Sequence, residues 1–191
     1  MKAEPDPVPD DGALEIDVSV QCPLWDDALP EAAALAQTAF RAAFQAVGPV
    51  GEPQAAEASI VLADDAFVQN LNREYRDRDT PTNVLSFPAS GPESGPETGK
   101  EMPPGMPVLL GDIVVAFETT AAEASQQGKG LSDHLCHLVV HGMLHLLGYD
   151  HQTSTEADTM EALEIEILEG LRIPNPYGEA DAARIEDGSN P

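Results

Sequence analysis

The chain has 191 residues, 42% of them hydrophobic, which is enough to bury the core of one domain, and it carries a formal net charge of -25. No run of about eighteen apolar residues marks a membrane span. A surface this acidic repels nucleic acid and anionic membranes at long range, and the nine Lys and Arg residues leave little for broad phosphate contact.

In chain order, "MKAEPDPVPDDG" is acidic and proline-rich, without the positive n-region or apolar h-region of a secretory signal. Residues 1–13 are therefore expected to be flexible, and the protein cytoplasmic. The two distant cysteines, Cys22 and Cys136, agree with that as unpaired residues. "LEIDVSV" (14–20) alternates as a half-buried strand does. Asp27 is placed to cap an alanine-rich helix starting near Leu29, with Pro30 in its first turn and Gly48-Pro49 as its stop. "ASIVLA" (58–63) reads as a central strand. Asp64 or Asp65 then caps a helix with Phe67, Val68, Leu71 and Tyr75 on one side. Strands follow at 83–87 and 108–116, the second interrupted by Gly111. Between them, residues 88–107 are nearly all Pro, Gly, Ser and Glu, the composition of a mobile loop.

A helix over 117–127 ends at Gly128, and Ser132 opens another that runs to Leu147, with Gly148 beyond its end. Thr153 and Glu156 have the spacing of a capping box for a last helix, whose apolar stripe is Met160, Leu163, Ile167, Leu168 and Leu171. The acids of 156–169 read as a solvated face. Residues 14–175 form one expected domain and 176–191 a loose tail. The element order predicts an α/β (α+β) fold, a small mixed sheet of about four strands packed with helices.

Chemistry concentrates in two places. Three of the nine bases, Arg73, Arg76 and Arg78, fall in "REYRDR", and all five histidines lie between 134 and 151. On a helix, His134, His137, His141 and His145 share one arc of roughly 80°. A metal with nitrogens about 2 Å away can be reached only by i, i+4 neighbours, the pairs 137/141 or 141/145. A chain that turns back at Gly148 brings His151 to the second pair. His137 is then a core histidine or a partner to a ligand, and His134 a surface one. Three imidazoles without a fourth protein ligand suit an open, catalytic zinc, one per chain. The protease pattern has glutamate after its first histidine as general base. Here that position is Gly142, which is expected to leave room above the metal for a bulky substrate. Asp150 reads as a turn residue or one that supports a ligand from behind.

The stretch "HGMLHLLGYDH" (141–151) closely resembles the signature of the YbeY family of bacterial rRNA-maturation endoribonucleases. "LNREYRDRDTPTNVLSFP" (71–88) and "LLGDIVVA" (109–116) resemble its other blocks in the same order. The resemblance implies a zincin-like histidine helix with His141, His145 and His151 as zinc ligands and Arg76 as the arginine facing the metal. It also implies a cytoplasmic enzyme acting on the 16S rRNA precursor, with the small ribosomal subunit or its proteins as partner, in 3′-end maturation and ribosome quality control. Arg73 and Arg78 are candidates for positioning the RNA backbone. Two other readings keep the zinc: a non-catalytic ribosome-assembly module, which the acidity suits, and another metallohydrolase such as a peptidase, which Gly142 opposes.

Overall fold

The computed structural model describes residues 14–48, 55–89 and 107–178. The N-terminal segment 1–13, most of the predicted loop 88–107 and residues 179–191 of the predicted tail lie outside them. Strand β1 (Leu14–Val20) buries Leu14 and Ile16 and exposes Glu15 and Asp17, as its alternation requires. It pairs in parallel with β2 (Ala56–Ala63), and β2 pairs in parallel with β4 (Val108–Ala116). Strand β3 (Val84–Pro88) closes the far edge antiparallel to β4, so the order is β1-β2-β4-β3. This is the mixed four-stranded sheet expected. Gly111 marks a bulge: Leu109 faces Glu57 but Gly111 faces Ala58, leaving Leu110 as the extra residue. Its φ of 129° and a Cβ position only 2.2 Å from the Phe87 carbonyl oxygen admit no side chain.

The predicted alanine-rich helix starts three residues later than Leu29, and a short helix that the sequence did not suggest precedes it. α1 (Pro23–Ala28) opens with Pro23 at its start, and α2 (Ala32–Val47) begins after Glu31. Asp27 therefore lies inside α1 and caps nothing. Pro30 is the cause, because it drives the preceding residue, Leu29, out of helical geometry to φ -148° and ψ 78°. The short α1 is held by Trp25, fully buried, whose indole Nε1 donates to the Ala63 carbonyl at 3.1 Å.

Asp64 caps α3 (Asp65–Arg76), accepting from the Phe67 N–H at 2.7 Å. Of the four residues predicted for its inner side, Val68 is buried and Leu71 half-buried. Phe67 and Tyr75 are exposed, Tyr75 resting edge-on against Phe87. Asp65 reaches across to α4 (Phe117–Gln126) and accepts from the Thr119 N–H at 3.0 Å and its hydroxyl at 2.8 Å. Glu118 accepts in return from the Asp65 N–H at 2.9 Å. Each helix thus satisfies free donors in the other's first turn. Replacing Asp65 by alanine is expected to cost about 1 kcal/mol, the usual value of a lost N-terminal cap, read as a lower urea midpoint at unchanged m-value.

Helix α5 (Leu131–Leu146) starts one residue before Ser132, and α6 (Ser154–Gly170) carries the predicted capping box. α2 and α5 cover one face of the sheet and α6 packs on both helices, in a core that includes Phe40, Leu135, Val139, Met143 and Leu168. α3 covers part of the other through Val68 against Leu85 and Val114. Both cysteines are free and buried, and burial pushes the Cys136 thiol up to about 11, leaving it unreactive. No helix among the described residues is long and apolar enough to cross a membrane.

Candidate metal centre

The apolar side of α5, with Leu135, Leu138, Val139 and Leu146 buried, seats the helix in the core and fixes which way its histidines face. The helix ends in a left-handed turn at Gly148 (φ 89°). Gly148 N–H donates to the His145 carbonyl at 3.0 Å, and Tyr149 N–H donates to that of Leu144 at 3.1 Å. That turn brings the chain back beside its own last turn. One nitrogen from each of His141, His145 and His151 then lies within 4.8 Å of the others.

The ring nitrogens are not interchangeable. His141 Nδ1–H donates to Glu164 Oε1 at 2.7 Å, and His145 Nδ1–H donates to the Tyr149 carbonyl at 2.9 Å. Both Nε2 atoms are left with lone pairs, and they face each other at 3.1 Å. Two nitrogens sharing a tetrahedral zinc stand about 3.3 Å apart, so the donor set fits such an ion. Burial, then the neighbouring His141 and His151, hold the His145 pKa below its ordinary value and keep that lone pair available near neutral pH. His151 is exposed and supplies the open side of the group.

Behind the cluster lies Glu164 of α6, 1% exposed. It does not share the solvated face expected for the acids of 156–169. The carboxylate accepts from His141, from His137 Nε2 at 2.9 Å, and from the Tyr177 hydroxyl. Burial alone would raise its pKa, but the bonds from His137 and His141 prevail and hold it at about 2. Its sequence signal was available: Met160, Glu164 and Leu168 are i, i+4 and i+8, so an acid sits in the middle of a buried stripe. Tyr177 falls in the stretch expected to be a loose tail. Residues 176–178 are instead held in place, with Lys129 Nζ donating to the Pro176 carbonyl at 2.6 Å.

His134 is not a surface residue. It is 3% exposed under α4, donating from Nε2 to Glu123 at 2.9 Å, and Glu123 also accepts from Asn83 at 2.9 Å. Gly142 also differs from expectation. It does not open space above the histidines but lies against the sheet, where a Cβ would come 3.0 Å from Ser86 Oγ and 3.1 Å from Ile113. Asp150 is used by its own turn, accepting from His151 N–H at 2.8 Å and Gln152 Nε2 at 2.6 Å, and both bonds lower its pKa.

Arg76, Arg73 and Arg78 are all exposed at the end of α3. Asp77 turns the chain there with φ 54°, and buried Asn72 ties the loop back by donating to the Thr80 carbonyl at 2.7 Å. Arg73 is engaged with Asp79 at 3.5 Å and Asn70 at 2.7 Å. Arg76 makes no side-chain hydrogen bond or ion pair among the described residues, so its guanidinium is available to a ligand.

The family model described as "Endoribonuclease YbeY" matches residues 26–172. The chain belongs to the YbeY family. Endoribonuclease YbeY of Paramagnetospirillum magneticum is 54% identical over 167 residues, covering 87% of this chain and 97% of the relative. That of Azorhizobium caulinodans is 50% identical over 165 residues, covering 86% and 96%. The solution structure of TM1509 from Thermotoga maritima is 19% identical with a TM-score of 0.44, over 93% of this chain and 97% of that one. The histidines, Arg76 and Glu164 all fall within the stretch matched to YbeY, whereas Tyr177 lies five residues past its end.

Proposed function

We propose that this YbeY chain is a zinc-dependent endoribonuclease, specific for single strands, with His141, His145 and His151 as ligands and Arg76 as the residue that binds the scissile phosphate. Its setting is the cytoplasm and its substrate the 16S rRNA precursor, in 3′-end maturation and ribosome quality control. The observation that carries the reading is the convergence of three imidazole nitrogens within 4.8 Å, two of them held as lone-pair donors by bonds on their other side. A zinc ion there supplies Lewis acidity toward a phosphoryl oxygen. The planar guanidinium of Arg76 donates two parallel hydrogen bonds to phosphate oxygens and neutralises charge as the bond breaks. Imidazole-only ligation favours zinc among common intracellular divalent ions over magnesium or calcium, which prefer oxygen. Nothing next to His141 serves as the protease glutamate, and Gly142 faces the sheet, so peptide hydrolysis lacks its base.

The test uses precursor 16S rRNA, naked and within small ribosomal subunits, with zinc analysis of each protein. Wild type is expected to bind one zinc and cleave. Arg76→Ala is expected to keep the zinc and lose about 10²–10³ in cleavage rate, while His145→Ala loses both. The net charge of -25 favours one second reading, a non-catalytic assembly module docking on basic ribosomal proteins. A zinc-loaded wild type that cleaves neither substrate would decide for it.

A further inference from the structure

Glu164 is an anomaly in energetic terms. The rest of the α6 stripe is apolar, and a buried carboxylate contributes less to stability than a well-packed leucine of similar size, even when its partners are good. Its place at 1% exposure behind His141 therefore points to a role besides packing. Its two oxygens are used differently. Oε1 takes His141 alone, at 2.7 Å, whereas Oε2 takes both His137, at 2.9 Å, and the Tyr177 hydroxyl. Two donors on Oε2 fix the carboxylate's rotation and leave Oε1 aimed at His141.

We infer that Glu164 is a positioning residue of the metal centre and that the C-terminal segment sets it, with Tyr177 locking the carboxylate that orients His141. The inference rests on the metal-site reading above. An imidazole whose rear N–H is held by a carboxylate has one tautomer and one ring orientation, and its metal-facing nitrogen is more basic. Tyr177 is held in turn: Ile173 N–H donates to the Leu168 carbonyl at 2.9 Å, Tyr177 N–H to Asn175 Oδ1 at 2.8 Å, and Lys129 to Pro176 from the α4–α5 turn. Burial, then the adjacent Glu164, push the phenol pKa up, so the hydroxyl stays protonated and remains a donor. Residues that contribute no metal ligand thus set how well the metal is held.

The experiment is a zinc competition titration against a chromophoric chelator on the full chain. It compares wild type, Glu164→Gln, Tyr177→Phe and Arg76→Ala, with the melting temperature of each metal-free protein measured in parallel. Glu164→Gln is expected to weaken zinc binding about 10–100-fold. Tyr177→Phe, which removes one hydroxyl and acts through the carboxylate, should weaken it by up to about tenfold. Arg76→Ala should bind like wild type. Equal zinc affinity in wild type, Glu164→Gln and Tyr177→Phe overturns the inference and leaves the proposed function standing. So does a lower metal-free melting temperature with unchanged affinity, because it assigns the pair a structural role only. A wild type that binds no zinc overturns the metal reading itself.

Discussion

Gly142→Glu, which completes the H-E-x-x-H pattern of zinc proteases, is expected to unfold the protein and not to create a peptidase. The position lies between α5 and the sheet, where even a Cβ meets Ser86 Oγ at 3.0 Å and Ile113 at 3.1 Å. The remaining atoms of a glutamate would have to enter the packed interface between α5 and strands β3 and β4, carrying a charge with no partner provided for it. Overpacking costs about 1–3 kcal/mol and an unpaired buried charge several more. Together they approach the about 5–15 kcal/mol that holds a typical domain folded. Soluble yield and the melting transition followed by near-ultraviolet circular dichroism check this. A variant that melts close to wild type would show that the helix can lift off the sheet. Gly142→Ala is the graded control: a gain of about 1 kcal/mol in helix propensity is set against the tight contacts, and the variant stays folded.

The metal-free protein should also lose stability in acid through one identifiable carboxylate. Glu164 is held at about 2 in the folded chain, against an ordinary value of 4.5. A depressed acid stabilises the fold fully above its unfolded pKa, and that contribution disappears as the pH falls from about 4.5 toward 2. The shift corresponds to roughly 3 kcal/mol as an order of magnitude. Urea unfolding at steps from pH 6 to pH 2 should therefore show a steeper fall for wild type than for Glu164→Gln. Parallel curves would mean that the acid limb belongs to the other carboxylates of this strongly acidic chain.

What could be read from the sequence was chemistry between near neighbours. The i, i+4 histidine spacing, the turn at Gly148 and the Thr153–Glu156 box each depend on residues within one or two turns, and all three are present. What escaped depends on partners brought from far along the chain. Glu164 acts on a histidine 23 positions away, and its helix is acidic enough to hide one more acid. His134 looks exposed until α4 is laid over it and Glu123 arrives. Tyr177 stands in a short proline-rich stretch that has no periodicity to read. Gly142 stands out at the position of the protease glutamate, but a glycine carries no record of what it faces. Its meaning lies in Ile113 and Ser86, on strands that the local pattern could not orient. Pro30 is permitted in the first turn of a helix, but its stronger effect is on Leu29 before it.

The three histidines are mounted on unlike supports. His141 and His145 belong to a helix packed on the sheet, with Gly142 against Ser86 and Ile113, so neither can shift without the core. His151 lies beyond Gly148, is exposed, and its imidazole makes no hydrogen bond among the described residues. An ion held there would have two anchors on the helix and one on the turn beyond it. If zinc binds there as proposed, His151 would be the ligand held by the fewest contacts, because His141 and His145 are each tied by a bond to their second ring nitrogen. Substitutions in the turn from Leu147 to Gln152 would then act on one ligand alone, leaving the helix and the sheet beneath it unaltered.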